Sequence, residues 1–371
     1  MTVVAQPAAS MRRSVAVTPV ERIHALDIIR GFALFGMILV HFHQKMRVDS
    51  AGVENLIPWA VWIFVEQKAW GAFALLFGAG FAILLRRLDA RGVAVVPIYL
   101  RRLATLALFG IVADVGFGFR ILFEYACWGV VLLVVRRWPT PALLVTAAIA
   151  AAARPIAAML LPPAVDAHVA ALTSAADVAA AQGSYRVLLS ARWALFAASF
   201  PPGWRELLPD SNLALFIVGL LAVRLGVFDE PRRHARLVIA WMTFGAISWA
   251  LAWIAPIGSG FGIIEDQWLC LAYVGGVVLL LAFRPGWTSR LALVGSAGRM
   301  ALTNYMVQAI VLDALSSGYG AHLRLRPYAY VAAAVLLFSA EALASRAWLG
   351  RFSFGPLERV WRLATYATVA M

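Results

Sequence analysis

A chain of 371 residues that is 63% hydrophobic and 14% charged, with a mean hydropathy of +0.82, lies outside the composition of soluble globular domains and reads as a multi-span membrane protein. The net charge of +13 does not point to nucleic acid, because the basic residues lie between apolar runs rather than beside exposed aromatics on one face. The two cysteines, Cys127 and Cys270, sit inside apolar segments without CxxC or metal-ligand spacing, so neither a disulfide framework nor a metal site is expected.

Residues 1–21 carry Arg12 and Arg13 but no continuous apolar stretch, and are expected to form a disordered cytoplasmic tail, with the first span serving as an uncleaved insertion signal. Ten apolar runs follow, each long enough for a crossing helix: 28–47, 69–86, 99–118, 120–137, 141–161, 208–228, 236–255, 266–284, 298–315 and 327–346. Segments 55–66 and 186–200 are apolar too, and read as interfacial or re-entrant helices, which leaves the count between nine and twelve. The loops with Arg86, Arg87, Arg91, Arg101 and Arg102, then Arg136 and Arg137, then Arg224, Arg232, Arg233 and Arg236, place both termini inside by the positive-inside rule. The expected architecture is therefore all-α, a polytopic transmembrane helical bundle of about ten spans, N-in and C-in. It forms one membrane domain over 22–346 with a cytoplasmic tail over 347–371. Segments 162–190, 256–266 and 316–326 remain as an outward surface.

The first span carries the most telling pair. Arg30 and His41 are eleven residues apart, about 1100° of helical rotation, so their side chains face within roughly 20° of each other across about 16 Å of rise. Ionisable groups are costly in a bilayer, so a shared face points to one polar chamber rather than to lipid. The alternative makes Arg30 a cytoplasmic flank and His41 an interfacial residue. His43 is about 200° away from His41 and belongs to another environment.

Asp27, three residues before Arg30, either holds the arginine toward a phosphate-bearing donor or neutralises it at the helix start. Lys68 lies at the level of His41 and either polarises a carbonyl or pairs with Glu66. Arg120 and Glu124 at i and i+4 are expected to satisfy each other. Asn304 and Gln308, also i and i+4, give the ninth span a polar stripe for interhelical hydrogen bonds or for substrate. Asp313 and Glu341 are further acids at membrane depth. Arg346, Arg351, Arg359 and Arg362 beside Trp348 and Trp361 suit anionic lipid or the phosphates of a CoA donor. Glycine clusters such as Gly78-Ala-Gly80 lack a strand-to-helix setting and read as close-packing sites, with no nucleotide-binding motif.

Four strings in order carry a family resemblance: Arg22-Ile-His-Ala-Leu-Asp-Ile-Ile-Arg-Gly-Phe-Ala-Leu-Phe-Gly36, Lys68 to Gly80, Gly298-Arg-Met-Ala-Leu-Thr-Asn-Tyr-Met-Val-Gln308, and Gly355-Pro-Leu-Glu-Arg-Val-Trp-Arg-Leu-Ala-Thr-Tyr366. They resemble the YeiB-like family of bacterial membrane proteins, domain of unknown function 418, over nearly the whole chain. Through its first span that family resembles the transmembrane acyltransferases, among them the acyltransferase-3 O-acetylases and the heparan glucosaminide N-acetyltransferases. The resemblance implies transfer of an acyl group from cytoplasmic acyl-CoA to an acceptor across the membrane. His41 stands where YeiB-like proteins commonly carry Asn, which brings the chain closer to the arginine and histidine pair of acyltransferase-3 proteins. Where the family pattern has a histidine and a Gly-Asp-Ile-Leu string, this chain has Ala113-Asp114 and Phe119-Arg120-Ile121-Leu122, with Tyr125-Ala126 retained, so no role carries over to Arg120.

Acyl transfer needs a base for the acceptor's proton and donors for the oxyanion. The expectation is a bacterial plasma-membrane acyltransferase with His41 as base and Arg30 with Asp27 holding the donor. Lys68, Arg299, Asn304 and Gln308 are expected on the reacting carbonyl or acceptor. Its expected partners are the bilayer, acyl-CoA as co-substrate, and an envelope component or small metabolite as acceptor, with no metal and no nucleic acid. The rival is a transporter whose polar groups line a solute path, and a third reading is a membrane scaffold. Oligomeric state stays open.

Overall fold

The computed structural model describes residues 24–48, 52–161, 167–200, 207–254 and 267–366. Each of the ten expected spans corresponds to a helix: α1 His24–Met46, α3 Lys68–Ala90, α4 Val95–Phe117, α5 Ile121–Val135, α6 Thr140–Leu160, α9 Ser211–Arg224, α10 Ala235–Ile254, α11 Cys270–Phe283, α14 Ala301–Ser316 and α15 Pro327–Leu349. Between and after them lie α2 Leu56–Phe64, α7 Ala167–Ala181, α8 Tyr185–Ala198, α12 Trp287–Arg290, α13 Ala292–Arg299 and α16 Pro356–Tyr366. The described residues contain no strand, only an isolated bridge between Arg47 and Leu325.

Among the described residues six stretches are long and apolar enough to cross a bilayer: His24–Met46, Gly52–Ala90, Val95–Phe117, Thr140–Leu160, Ala235–Ala252 and Pro327–Leu349. The others are shorter than their apolar runs. A 14-residue helix such as α9 rises only about 21 Å. Its ends are tolerated because eleven of its residues are buried in protein rather than facing lipid. The run 298–315 is broken at Met300, which separates α13 from α14.

The two ends of the bundle differ in chemistry. At one end, Arg86 meets Asp229, Arg224 reaches the carbonyls of Trp138 and Arg136, and Arg102 packs on Trp361. At the other lie His41, Lys68, Asp210 and Asp313. We call these the arginine end and the histidine end.

Glycines set the closest approaches. A Cβ on Gly78 of α3 would strike the Phe216 carbonyl of α9, and one on Gly219 of α9 would strike the Leu75 carbonyl of α3, so the two helices touch backbone to backbone. Gly31 and Gly298 do the same for α1 and α13. Around these contacts Leu75, Ala79, Phe216 and Leu220 form one apolar core. Met37, Ile38, Phe119, Tyr305 and Tyr330 form a second, nearer the histidine end. By contrast α10 lies at the periphery, with Ile239, Phe244, Ile247 and Leu251 facing outward.

Two segments outside the ten runs carry helices of their own. Residues 167–190, within the segment read as an outward surface, hold α7 and the start of α8, packed on each other. Residues 347–371, read as a tail, carry α16 docked against α4, because Trp361 donates to the Arg102 carbonyl at 2.9 Å and its ring lies 3.6 Å from the Arg102 guanidinium. The tail 1–21 and the segment 256–266 lie outside the described residues.

Replacing Gly78 by Val is expected to destabilise the fold by at least about 1–3 kcal/mol through overpacking. Gly276→Ala is the control, since a Cβ there meets only the tip of Met242 at 3.9 Å. Thermal unfolding in detergent reads both.

Candidate functional site

Three cavities stand in series along α1. The first opens at the arginine end, measures about 560 Å³, and is lined by seven arginines and two acids. Arg30 comes from α1, Arg87 and Arg91 from the end of α3, Arg102 from α4, Arg299 from α13, and Arg351 and Arg362 from the C-terminal segment. Of the acids, Asp27 holds Arg30 in an ion pair at 3.0 Å, the pairing expected at i and i+3. Glu358 is already engaged: it accepts from the backbone N–H of Leu302 at 2.7 Å and of Thr303 at 3.1 Å, and from the Thr303 hydroxyl at 2.5 Å. A carboxylate from α16 thus caps the positive end of α14. The two C-terminal strings that carry the family resemblance meet physically at Thr303 and Glu358.

The second cavity, about 250 Å³, has mainly apolar walls from Met37, Phe73, Leu76, Phe77, Phe81 and Leu106. It shares Arg30, Arg102 and Arg299 with the first cavity. At its far end it shares Ile121 and Tyr305 with the third.

The third cavity, about 610 Å³, opens at the histidine end and is polar: His41, Lys45, Gln67, Arg120, Glu124 and Arg154 line it, with Asp210, Asn212 and Gln267. His41 is 8% exposed, its Nδ1 is buried without a hydrogen-bond partner, and its ring packs edge-on against Phe119 with centroids 4.4 Å apart. Arg154 pairs with Asp210 at 3.3 Å, while Asp210 also caps α9 by accepting from Asn212 N and Leu213 N. Gln67 enters α3 with φ of +65°, a left-handed geometry that a side chain adopts only under local strain.

Arg30 and His41 therefore share a helix face but not a chamber. The second cavity lies between them, and it is apolar because the intervening turns present Met37 beside Phe73 and Leu76. His43 turns away, its Nδ1 lying 3.2 Å from the Tyr330 hydroxyl. Lys68 is 1% exposed and stands outside the linings of the three cavities. Glu66 takes Gln44 at 2.6 Å.

Asn304 donates to the Ala297 carbonyl and to Ser345, both at 3.0 Å, and Gln308 donates to Glu341 at 2.8 Å. These form a polar ladder between α14 and α15, away from the cavities, so of the expected substrate contacts only Arg299 faces one. Arg120 pairs with Asp114 at 3.1 Å rather than with Glu124, because Gly118 closes α4 in a left-handed turn that brings Asp114 back beside it. Glu124 is left facing the third cavity.

Two groups escaped the sequence reading. Lys45 lies four residues after His41, a spacing that puts both on one face, and its Nζ sits 4.6 Å over the Phe119 ring and 3.9 Å from Asp313. Tyr305 lies between Asn304 and Gln308 in sequence, yet it lines the second and third cavities while they do not. Asp313, fully buried, is held by Arg192 of α8 through two bonds at 3.0 and 2.5 Å, and by Ser317. Tyr319, in the loop after α14, donates to it at 2.9 Å, and burial with that carboxylate pushes the Tyr319 phenol up, keeping it a donor. Among the described residues no group of three or more His, Cys, Asp or Glu is arranged to hold a metal ion.

The fold and its aligned cavities define a multi-pass membrane protein with a basic mouth at one end and a polar basin at the other. Residues 222–368 match the family model described as protein of unknown function DUF418, and residues 22–189 match that of the catalytic domain of heparan-alpha-glucosaminide N-acetyltransferase. The uncharacterized protein YxaH of Bacillus subtilis is 30% identical, covering 93% of this chain and 94% of its own. The uncharacterized protein YeiB of Escherichia coli is 25% identical, covering 93% and 96%. The chain belongs to the YeiB-like DUF418 family, and its residues 22–189 are similar to the catalytic domain of that N-acetyltransferase.

Arg192→Met is expected to cost about 3–5 kcal/mol by leaving Asp313 buried against a weaker partner. Removing both charges, as Arg192→Met with Asp313→Leu, is expected to recover part of that loss in a denaturation series.

Proposed function

We propose that this protein is an acyltransferase of the bacterial plasma membrane, taking an acyl group from acyl-CoA at the arginine end and delivering it to an acceptor in the basin at the histidine end. The arginine end is cytoplasmic in this reading, by the positive-inside rule, with ten crossings and both termini inside. The observation that carries it is the series of cavities from an arginine-lined mouth to His41. The bacterial relatives support the location.

Each cavity suits one part of the donor. Guanidinium groups suit the phosphates of the nucleotide portion, with Arg30 oriented by Asp27. The narrow apolar cavity suits a pantetheine arm, which is about four amide-residue lengths and reaches roughly 15 Å extended, against the rise of about 16 Å from Arg30 to His41. The thioester then emerges beside His41. Its imidazole takes the proton of the acceptor's hydroxyl or amine as that atom attacks the carbonyl carbon; the C–S bond breaks, and the thiolate leaves with a proton from the imidazolium. Acids, amides and guanidinium groups in the basin suit an acceptor rich in hydroxyls, such as an envelope component or a small metabolite.

Acetyl-CoA consumption by the purified protein in lipid is expected to fall by about 10²-fold or more in His41→Ala. Equal turnover in both proteins removes His41 as base. Arg351→Glu with Arg362→Glu is expected to weaken CoA binding about tenfold or more, read by titration in nanodiscs. A path of cavities through the bundle also favours solute transport as a second reading; flux into proteoliposomes without any acyl donor would select it.

A further inference from the structure

The junction between the second and third cavities is the narrowest chemical question in the molecule. A thioester threaded from the arginine end reaches the basin there, and the oxygen of its carbonyl becomes negative as the acceptor adds. A fixed hydrogen-bond donor aimed at that oxygen stabilises the charge as it develops. Among the described residues only two line both cavities, Ile121 and Tyr305. Isoleucine has no polar hydrogen, so the phenol of Tyr305 is the one side-chain donor common to both linings.

Tyr305 is placed for that task. Its side chain is 5% exposed, on the flank of α14 facing the cavities, and its ring meets Phe119 edge-on with centroids 6.1 Å apart. Phe119 is the same ring against which His41 packs at 4.4 Å, so base and phenol flank one rigid aromatic spacer and both line the basin. Among the described residues no hydrogen bond occupies the Tyr305 hydroxyl. Tyr125, which lines the second cavity but not the third, is already committed, donating to the Trp70 carbonyl at 2.8 Å. The cap from Glu358 fixes the start of α14 one turn below Tyr305, at Leu302 and Thr303, which sets the ring's position against the C-terminal helix.

We infer that Tyr305 is a catalytic residue, the oxyanion donor of the acyl transfer, resting on the acyltransferase reading above. As the acceptor's O–C or N–C bond forms and His41 takes the proton, the carbonyl oxygen accepts a hydrogen bond from the Tyr305 hydroxyl. When the tetrahedral intermediate collapses, the C=O bond re-forms, the C–S bond breaks, and CoA leaves as the thiol with the proton from His41. The phenol keeps its own proton throughout.

The test uses membrane vesicles from cells producing the full chain, so that native acceptors are present, loaded on the arginine side with radiolabelled acetyl-CoA. Label transfer, free-thiol release and thermal unfolding are measured together for wild type, Tyr305→Phe, and a protein with a fluorinated tyrosine at 305. The expected result is a fall in kcat of about 10²–10³-fold for Tyr305→Phe, with KM for acetyl-CoA within about twofold and unfolding unchanged, and turnover restored by the fluorinated tyrosine, which keeps both ring and donor. Equal kcat in wild type and Tyr305→Phe overturns the assignment and leaves the acyltransferase reading standing. A rise in KM with kcat unchanged, or a loss that the fluorinated tyrosine does not restore, also overturns it, because either marks a packing or donor-holding role. Wild type that neither transfers label nor releases thiol overturns the acyltransferase reading itself, and Tyr305 with it.

Discussion

A polar side chain at membrane depth survives only where protein separates it from hydrocarbon, and the burial of α1 is how this molecule meets that constraint. Sixteen of the 23 residues of α1 are buried, including Asp27, His41 and His43. That degree of enclosure needs neighbours at backbone distance. Gly31 admits α13, Gly36 faces Ala69 of α3, and Gly298 admits the Asp27 carbonyl. With α3, α13, α14 and α15 drawn around it, α1 carries a charged group near one end and an imidazole near the other without presenting either to lipid. The cavities are the spaces these helices leave.

The C-terminal segment is fastened to the arginine end by the same logic. The first N–H groups of α14 have no partners within their own helix, and they start inside the bundle where water is scarce. Glu358 supplies the missing acceptors from α16, and Thr303 returns a hydroxyl to the Leu357 N–H at 3.1 Å. Trp361 then pins α16 to α4 beside Arg102. A single carboxylate thus ties the last helix to the helix that bears Tyr305, and brings Arg351 and Arg362 to the wall of the basic mouth. The histidine end uses a parallel device, with Asp313 gathering Arg192, Ser317 and Tyr319 so that α8 is held against α14.

How far the site was legible depended on whether a signal was local. Asp27 with Arg30 is an i and i+3 pair on one helix, and the ion pair forms as the spacing implies. His41 and His43 diverge because helical rotation separates them, and they enter different surroundings. Arg120 shows where local spacing misleads: a fourfold offset favours Glu124, but the turn at Gly118 makes Asp114 the nearer acid. Asn304 and Gln308 drew attention as polar residues in an apolar run, yet their neighbour Tyr305 faces the cavities, since a step of 100° sends adjacent residues to different flanks. No periodicity within α14 says which flank is which.

Apolar runs were enough to determine the helical membrane class, a helix in each of the ten runs and the shared face of Arg30 and His41, because these follow from hydrogen bonding within a segment and from rotation along one helix. Tertiary structure alone decided that the face is divided among three cavities, that Glu358 belongs to α14, and that Tyr305 stands at the junction. Those facts come from contacts between segments far apart in the chain, where helix packing depends on small residues meeting across an interface and no pattern within either segment names its partner.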